Sequence, residues 1–404
     1  MKPWTVRYLL TWLVLLLFSP SVFAANYFTR ATGVNWNANG TWSTAACGGA
    51  SAGAAFPGST NTADTATICQ GNTITLSANT AFAIASLTFN GGAAASNLTI
   101  TGRTLLVTGA VTMNAPTTAA ITSTLTINTG ILGTGANPVG SVSIIGSATV
   151  NSTARIVVTG GSITTGSVAI TGGASATGVA LMSVTTGTIT SNGAITLNGT
   201  AANARLTSSS TSTINVAGNF SNGGTLTHTN GTFVFNGTVA QAITGASTSS
   251  FRNLTISNVT QPVSITPTTN LMNVAGTLTM NGANTILTPN AAVVINNAAA
   301  AGTIIGVGGG TAQVTKTGAD AFATQYKFTT NTLTNLTVEY SGAATQAVST
   351  GVGTYGNLEI TNTTGVTAAA NFNVSGTLTM NGANTVLTPA AAVVINSAAA
   401  AGTI

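Results

Sequence analysis

The chain nearly repeats itself at a spacing of one hundred residues. Residues 273–304 and 373–404 differ only at the paired positions Ala275/Ser375, Ile286/Val386, Asn290/Ala390 and Asn297/Ser397. Self-similarity at a fixed period is typical of stacked supersecondary units, which bury their apolar faces only against neighbouring units. The sequence therefore predicts a repeat array.

The second copy ends with the chain at Ile404, whereas the first copy continues into further strand-like sequence. We therefore expect the natural protein to continue beyond Ile404. We also expect the last coil of this chain to expose apolar, unpaired strands that fray or associate.

Short segments in which aliphatic residues alternate with threonine recur along the chain and predict half-buried strands. Gly, Asn-Gly and Thr-Gly separate these segments and predict turns. A finer repeat displaces Ile163 to Ile189 and Val168 to Ile195, so one coil spans 26 or 27 residues. The hundred-residue unit then corresponds to about four coils.

Coils of this length predict a right-handed parallel β-helix (β-solenoid) of about 15 coils, in which each strand pairs with its counterpart in the next coil. We assign residues 77–404 to these solenoid repeats. The alternative architecture is a string of antiparallel sandwich domains, but the finer repeat argues against it.

Residues 25–76 differ from the rest and predict an N-terminal cap that covers the first strand edges. This segment contains Cys47 and Cys69, the only cysteines of the chain, and we predict a disulfide between them rather than a metal or nucleophilic thiol pair. We expect Trp36 and Trp42 to cover the end of the solenoid. Stacking on sugar rings is the alternative role for these two tryptophans.

Residues 1–24 have the features of an export signal: Lys2 and Arg7 form a basic start, an apolar stretch follows, and small residues precede Ala25. The apolar stretch is too short to span a bilayer, so we predict no transmembrane helix in the mature chain. Only 3% of residues are charged, and single arginines stand roughly fifty residues apart. Nucleic-acid binding requires clustered basic residues, so we predict no nucleic-acid partner.

Four arginines stand roughly fifty residues apart: Arg103, Arg155, Arg205 and Arg252. About two coils separate each from the next. We therefore expect them at equivalent positions on every second turn of the solenoid.

The segments W-N-x-x-G-T-W (36–42), D-T-A-T-I (64–68), F-N-G-x-x-x-Q-x-I (235–243) and F-x-N-L-x-I (251–256) resemble bacterial β-strand-repeat surface proteins. This group includes the Q-type pilus-biogenesis protein of the mannose-sensitive haemagglutinin and autotransporter-like adhesins. The resemblance covers nearly all of the mature chain. It implies an extracellular or outer-surface location in a Gram-negative-type bacterium, an adhesive role and pilus components as partners.

An enzyme on a β-helix needs clustered carboxylates, but Asp64, Asp320, Glu339 and Glu359 are the only acids. If Leu336 stacks over Leu358, the two glutamates lie on a diagonal of roughly 7–8 Å, which suits an inverting glycosidase. We nevertheless predict no enzyme and no cofactor. Since His228 is the only histidine, we also expect no metal site, and we place this residue at a strand end.

The segment between the two repeat copies is the best candidate for a localised recognition patch because it combines charges with aromatic residues. In the alternative interpretation, the aromatic side chains fill the interior of a wider coil. The patch consists of Lys316, Asp320, Tyr326, Lys327, Glu339, Tyr340 and Glu359.

The sequence favours an exported structural and adhesive rod that binds a host surface, an abiotic surface or a glycan through repeated hydroxyl and amide faces. Two alternatives remain. One is a solenoid that binds ice or ordered water, for which Thr73/Thr75 and Thr277/Thr279 have the required spacing. The other is a carbohydrate-active β-helix enzyme that uses Glu339 and Glu359.

Overall fold

The structure is a computed structural model that describes residues 23–30, 32, 34–77, 81–148, 150–174, 178–199, 202–296 and 302–396. Residues 1–22, which include most of the predicted export signal, and residues 397–404 at the end of the second copy lie outside the described residues. Of the described residues, 49% are in strands and 1% are in helix. The predicted β-solenoid is confirmed: stacked parallel coils form about 12 turns.

In most coils the chain passes through three strands, which define three sides of the solenoid. We call these sides face 1, face 2 and face 3, in the order in which the chain visits them. Within each strand, buried aliphatic residues alternate with half-exposed polar ones, as in Asn97–Thr101. The aliphatic side chains fill the interior because every second residue of a strand points to the same side.

Face 1 contains the strands Asn26–Thr29, Thr65–Ile68, Ser86–Phe89, Ala110–Asn114, Ser141–Ile145, Val168–Thr171, Ile195–Asn198, Phe220–Asn222, Gln241–Thr244, Val263–Ile265, the ends of Thr277–Pro289 and Thr303–Val314, Thr337–Tyr340, Asn357–Ile360 and Leu378–Met380.

Face 2 contains the eight-stranded sheet Val34–Asn35, Thr73–Leu76, Asn97–Thr101, Thr122–Asn128, Thr153–Val158, Val179–Val184, Ala204–Ser208 and Thr225–His228, followed by the three-stranded sheet Ser249–Phe251, Leu271–Val274 and Val294–Ile295.

Face 3 contains Phe82–Ile84, Thr104–Val107, Ile131–Leu132, Ser162–Thr165, Thr188–Ser191, Thr213–Val216, Thr232–Phe235, Asn253–Ile256, the beginnings of Thr277–Pro289 and Thr303–Val314, and Thr330–Thr332.

The remaining elements are Trp42–Ser43, a short helix at Ala321–Gln325, the sheet Gln346–Ala347, Val366–Ala368 and Leu387–Pro389, and the pair Thr354–Tyr355 and Asn373–Val374.

Within residues 77–404, the predicted solenoid repeats, the structure has about 12 turns rather than about 15. From Ser86–Phe89 to Leu378–Met380, face 1 stacks thirteen strand segments, and Asn26–Thr29 and Thr65–Ile68 of the cap precede them on the same face. Along these thirteen segments of face 1, one turn averages about 24 residues, and single turns range from the 20 residues between Leu358 and Leu378 to the 31 between Val111 and Val142. Loops between strands absorb this variation without disturbing the pairing, because longer connections run over the surface.

The predicted cap already contains the first coil. Asn26–Thr29 pairs parallel with Thr65–Ile68 and antiparallel with Trp42–Ser43. The predicted disulfide is confirmed: Cys47 and Cys69 are joined, with their Cα atoms 5.8 Å apart and 22 residues of separation. Closing a loop of this length contributes about 3 kcal/mol in the chain-entropy model.

Candidate functional site

The glutamine of the repeat motif F-N-G-x-x-x-Q joins two coils from inside. Gln241 Nε2 donates to the carbonyls of Val216 and Gly218 at 2.9 and 2.8 Å. Its Oε1 accepts from the Gly237 amide and from Asn258 Nδ2 at 3.0 and 3.1 Å. This buried amide therefore uses its full hydrogen-bonding capacity within the protein.

The equivalent glutamine of the second copy makes the same four bonds. Gln346 Nε2 donates to the carbonyls of Val314 and Lys316 at 2.8 and 2.7 Å, and its Oε1 accepts from Gly342 N and Asn362 Nδ2. A Cβ on Gly342 would lie 2.7 Å from Gln346 Cδ, which explains the glycine of the motif. This motif is therefore architectural.

The asparagine of the motif F-x-N-L-x-I has a similar role. Asn253 Oδ1 accepts from the Thr277 amide of the next coil at 3.1 Å, and Asn357 Oδ1 accepts from Thr377 N at 2.9 Å. A Cβ on Gly276 would lie 2.4 Å from Asn253 Oδ1, so only glycine fits above this amide. The motif residues hold neighbouring coils together and are not free to bind a ligand.

The two cap tryptophans are buried, so the hypothesis of sugar stacking is wrong. Trp36 and Trp42 are both 0% exposed, and their rings lie 4.8 Å apart. Trp36 Nε1 donates to the Pro57 carbonyl at 3.2 Å, and Trp42 Nε1 donates to the Trp36 carbonyl at 2.6 Å. Both side chains close the end of the interior, as the cap interpretation predicts.

Both tyrosines of the predicted recognition patch also point inward. Tyr326 donates from its hydroxyl to the Gln313 carbonyl at 2.8 Å, and burial raises the pKa of its phenol well above the usual value. The Tyr340 hydroxyl lies 3.0 Å from that of Tyr355, which donates to the Ser349 carbonyl at 2.7 Å. These aromatic side chains fill the interior, as the structural alternative proposes, and cannot contact a partner.

The charged residues of the patch are spread over several sides of the solenoid. Glu339 and Glu359 belong to face 1, and Lys316 follows the face 1 segment 311–314. Lys327 follows the residue that pairs with Ile295 on face 2. Asp320 borders a separate groove of about 580 Å³ beside the short helix. The structure does not bring these charges together as one contact surface.

The two glutamates stack directly, which corrects the predicted diagonal. Val338, not Leu336, pairs with Leu358, so Glu339 lies opposite Glu359 in neighbouring strands about 4.8 Å apart. Glu339 accepts from Gln313 Nε2 at 2.9 Å and from Thr361 Oγ1 at 2.8 Å. Both side chains are half-buried, and their hydrogen bonds hold them within an outward ladder of polar residues.

His228 ends a face 2 strand, as predicted, but it is buried between Phe233 and Phe251. Its Nδ1 accepts from the Arg252 amide at 2.8 Å. Burial lowers the pKa of His228 to about 4. The neutral imidazole therefore serves as one of the side chains that fill the interior.

Arginines mark every second turn in part of the chain. Arg155 and Arg205 both pair with Leu181 of the intervening face 2 strand, so they occupy one outward column two coils apart. This confirms the predicted equivalence for these two residues. Arg103 and Arg252 instead lie just beyond face 2 strands, outside that column.

Sequence reasoning missed an array of threonines on face 3, which we call the threonine face. Eight consecutive strands, from Ser162–Thr165 to Thr330–Thr332, each place two outward side chains two residues apart. The first column is Ser162, Thr188, Thr213, Thr232, Asn253, Thr277, Thr303 and Thr330, and the second is Thr164, Thr190, Asn215, Val234, Thr255, Thr279, Ile305 and Thr332.

Eleven of these sixteen side chains are threonine, and none is charged. The pairing stays in register across the whole array, since the one irregularity between the two longest strands lies beyond it, at Ala283 to Ile286. The predicted pair Thr277/Thr279 belongs to this face. Thr73/Thr75 lies on face 2, where Arg155 interrupts the same column.

Among the described residues, no three His, Cys, Asp or Glu side chains form a group that could hold a metal ion. Within the same part of the chain, no helix has the length and apolar character needed to cross a membrane. The fold defines the chain as a disulfide-capped β-solenoid. No protein-family model, curated protein or solved structure matches it.

Proposed function

We propose that this chain is an exported, cell-surface solenoid that acts as a structural rod and as an adhesive surface. The observation that supports this proposal best is the threonine face, an in-register outward array of uncharged side chains over eight coils. The recurring motif residues hold the coils together internally. Regular outward faces are therefore what the repeats present to a partner.

Weak contacts repeated along such a face combine into strong attachment, because each further contact forms at a high effective concentration. A host surface, an abiotic surface or a glycan would meet many equivalent hydroxyl groups. The sequence resemblance to pilus-biogenesis and autotransporter-like proteins adds pilus components as candidate partners.

The cap supports the proposed export. Its disulfide would persist in an oxidising compartment. In addition, the Ala25 amide donates to Asp64 Oδ1 at 2.9 Å, and Asp64 is only 1% exposed. Cleavage after Ala24 would convert this amide into an ammonium group and give the buried carboxylate a positively charged partner.

A carbohydrate-active enzyme is the less favoured alternative. Glu339 and Glu359 lie opposite each other in strands about 4.8 Å apart, a spacing closer to the carboxylate separation of a retaining than of an inverting enzyme. However, Glu339 is held by Gln313 and Thr361, and Asn381 donates to Glu359 at 2.6 Å. Loss of polysaccharide turnover in Glu339→Gln and Glu359→Gln variants would favour the enzyme over the adhesive rod.

The proposal is tested by deleting the gene and restoring it in the source cells. We expect the protein at the outer surface, accessible to added protease, with an N-terminus at Ala25 by mass spectrometry. Attachment to surfaces should fall without the gene and return with it. An internal location, or unchanged attachment, would contradict the proposal.

A further inference from the structure

The threonine face has the geometry of a two-dimensional lattice. Parallel strands are spaced about 4.8 Å apart, and residues two apart along a strand are about 6.7 Å apart. The face therefore presents a nearly rectangular grid, two positions wide and eight coils long. The oxygen atoms on the prism planes of hexagonal ice repeat at distances close to these two spacings.

The side chains on this grid are stiff. Threonine is branched at Cβ and strongly restricted at χ1, so its methyl and hydroxyl groups hold fixed positions. Val234 and Ile305 replace threonine at two grid points and keep the β-branched shape. In the eight strands, each paired in parallel with the next, thirteen of the sixteen positions therefore carry a rigid methyl group.

The chemistry of the face favours water over sugar as the ligand. Proteins commonly contact sugars through exposed aromatic rings and charged or amide side chains, but this face has no aromatic or charged residue, and Trp36 and Trp42 are buried elsewhere. Asn253, one of its two amides, already donates to the Gly231 carbonyl at 2.8 Å. What remains is a regular surface of hydroxyl and methyl groups.

We propose that the threonine face binds ice by holding a layer of ordered water in register with the crystal lattice. This inference rests on the proposed adhesive function and specifies the class of surface that this face recognises. The methyl groups would order the water between them, and the hydroxyl groups would anchor that layer by hydrogen bonds. A rod with such a face would attach to ice as a repeated, multivalent contact.

The test compares ice binding by the purified parent chain and by two matched lysine variants. Each protein is dissolved in supercooled water that contains a single ice crystal. Thr213→Lys places a long, charged side chain in the grid. Thr207→Lys makes the same change on face 2 of the same coil, at an equally half-buried position. Thermal melting and circular dichroism serve as controls that check whether both variants keep the solenoid.

We expect the parent chain to separate the melting and freezing temperatures of the crystal and to accumulate on growing ice. Thr213→Lys should lower ice accumulation about tenfold, corresponding to about 1.4 kcal/mol, while Thr207→Lys should match the parent. Absence of ice binding by the parent, or an equal loss in both variants, would overturn the proposal. Retention of the parent on crystalline cellulose or chitin, but not on ice, would also overturn it.

The two proposals fail separately. If the parent chain does not bind ice while deletion of the gene still abolishes attachment to other surfaces, the adhesive rod stands and the ice surface is wrong. If the purified chain binds ice but the protein is found inside the cell, the adhesive surface role is wrong.

Discussion

Each copy of the repeat motif makes the same set of hydrogen bonds, but different interior side chains surround the two copies. Gln241 and Gln346 make the same four contacts. Around the first copy the interior is lined by phenylalanines, with Phe233 5.1 Å from Phe251. In the second copy Tyr355 replaces Phe251 and joins a hydroxyl network. The repeat therefore conserves the bonds between coils and leaves the interior filling free to change.

The outward sides of the two copies differ as well. Val234 and Thr255 belong to the threonine face, whereas their counterparts Glu339 and Glu359 form the stacked pair on face 1. The second copy joins a different face, since Thr337–Tyr340 pairs with the face 1 segment 311–314. A short helix, Ala321–Gln325, lies in the intervening coil. The two copies therefore differ at their outward positions, while the motif maintains the coil in both.

The largest expected effect comes from removing the internal glutamine. Gln241→Ala and Gln346→Ala would each leave buried carbonyl and amide groups without partners, which costs about 3–5 kcal/mol of local stability. Hydrogen exchange of the surrounding amides measures this loss. Gln261→Ala, at an exposed position, should change exchange little. Equal effects at Gln261 and Gln241 would contradict the proposed internal role.

The second expected change in stability depends on pH and involves His228, which lies in the first copy alone. Because burial lowers the pKa of His228 from 6.5 to about 4, the unfolded chain binds the proton first as the pH falls. Stability should therefore drop by about 3 kcal/mol between pH 6.5 and pH 4 and level off below. Thermal melting across this range checks the drop.

A matched variant isolates this histidine. His228→Gln can still accept from the Arg252 amide but does not titrate. The drop between pH 6.5 and pH 4 should disappear in this variant. An unchanged pH profile would show that another group is responsible.

The third expected change in stability comes from exchanging tyrosine and phenylalanine between the interiors of the two motif copies. Tyr355→Phe removes the hydroxyl that donates to the Ser349 carbonyl and contacts Tyr340, and should cost about 1–2 kcal/mol. Phe251→Tyr places a hydroxyl among Phe220, Phe233 and His228, and should cost about 1–3 kcal/mol. Melting temperatures measure both. A neutral result for either exchange would mean that the two interiors are interchangeable.

The smallest effect comes from the stacked glutamates. Glu359→Gln should stabilise the chain by about 0.5 kcal/mol at low salt, since like charges directly opposite each other in a sheet repel. The gain should shrink as salt rises. Thr379→Gln, one coil further along the same column, provides a control without charge removal. Destabilisation by Glu359→Gln at every salt concentration would contradict repulsion between the two carboxylates.

The sequence was sufficient to predict the solenoid, its cap and the disulfide, because repeat spacing, strand alternation and the paired cysteines are local signals. It was not sufficient to predict which strands share a face. From Ile163 on face 3 the next stacked residues are Ile189, Ile214 and Phe233, so successive spacings are 26, 25 and 19 residues. With such variable coils, the threonine face becomes visible only when the strands are stacked.

Because the sequence does not show which strands stack, it also gave the wrong register for the two glutamates and the wrong place for the predicted recognition patch. Alternation correctly placed Glu339 and Glu359 on the outside, but it could not decide whether Leu336 or Val338 lies next to Leu358. The patch interpretation placed Tyr326 and Tyr340 at the surface because charged residues lie near them in sequence, whereas the alternative interpretation placed them in the interior. In the structure, they occupy the inward positions that alternation reserves for apolar side chains.

The central claim is that attachment depends on the threonine face and not on the charged segment. Thr255 and Glu359 hold equivalent positions in the two copies, so Thr255→Lys and Glu359→Lys form a matched pair. Surface attachment by cells that display each variant tests this claim directly. We expect about a tenfold loss for Thr255→Lys and parent-like attachment for Glu359→Lys. Loss with Glu359→Lys and full attachment with Thr255→Lys would contradict it.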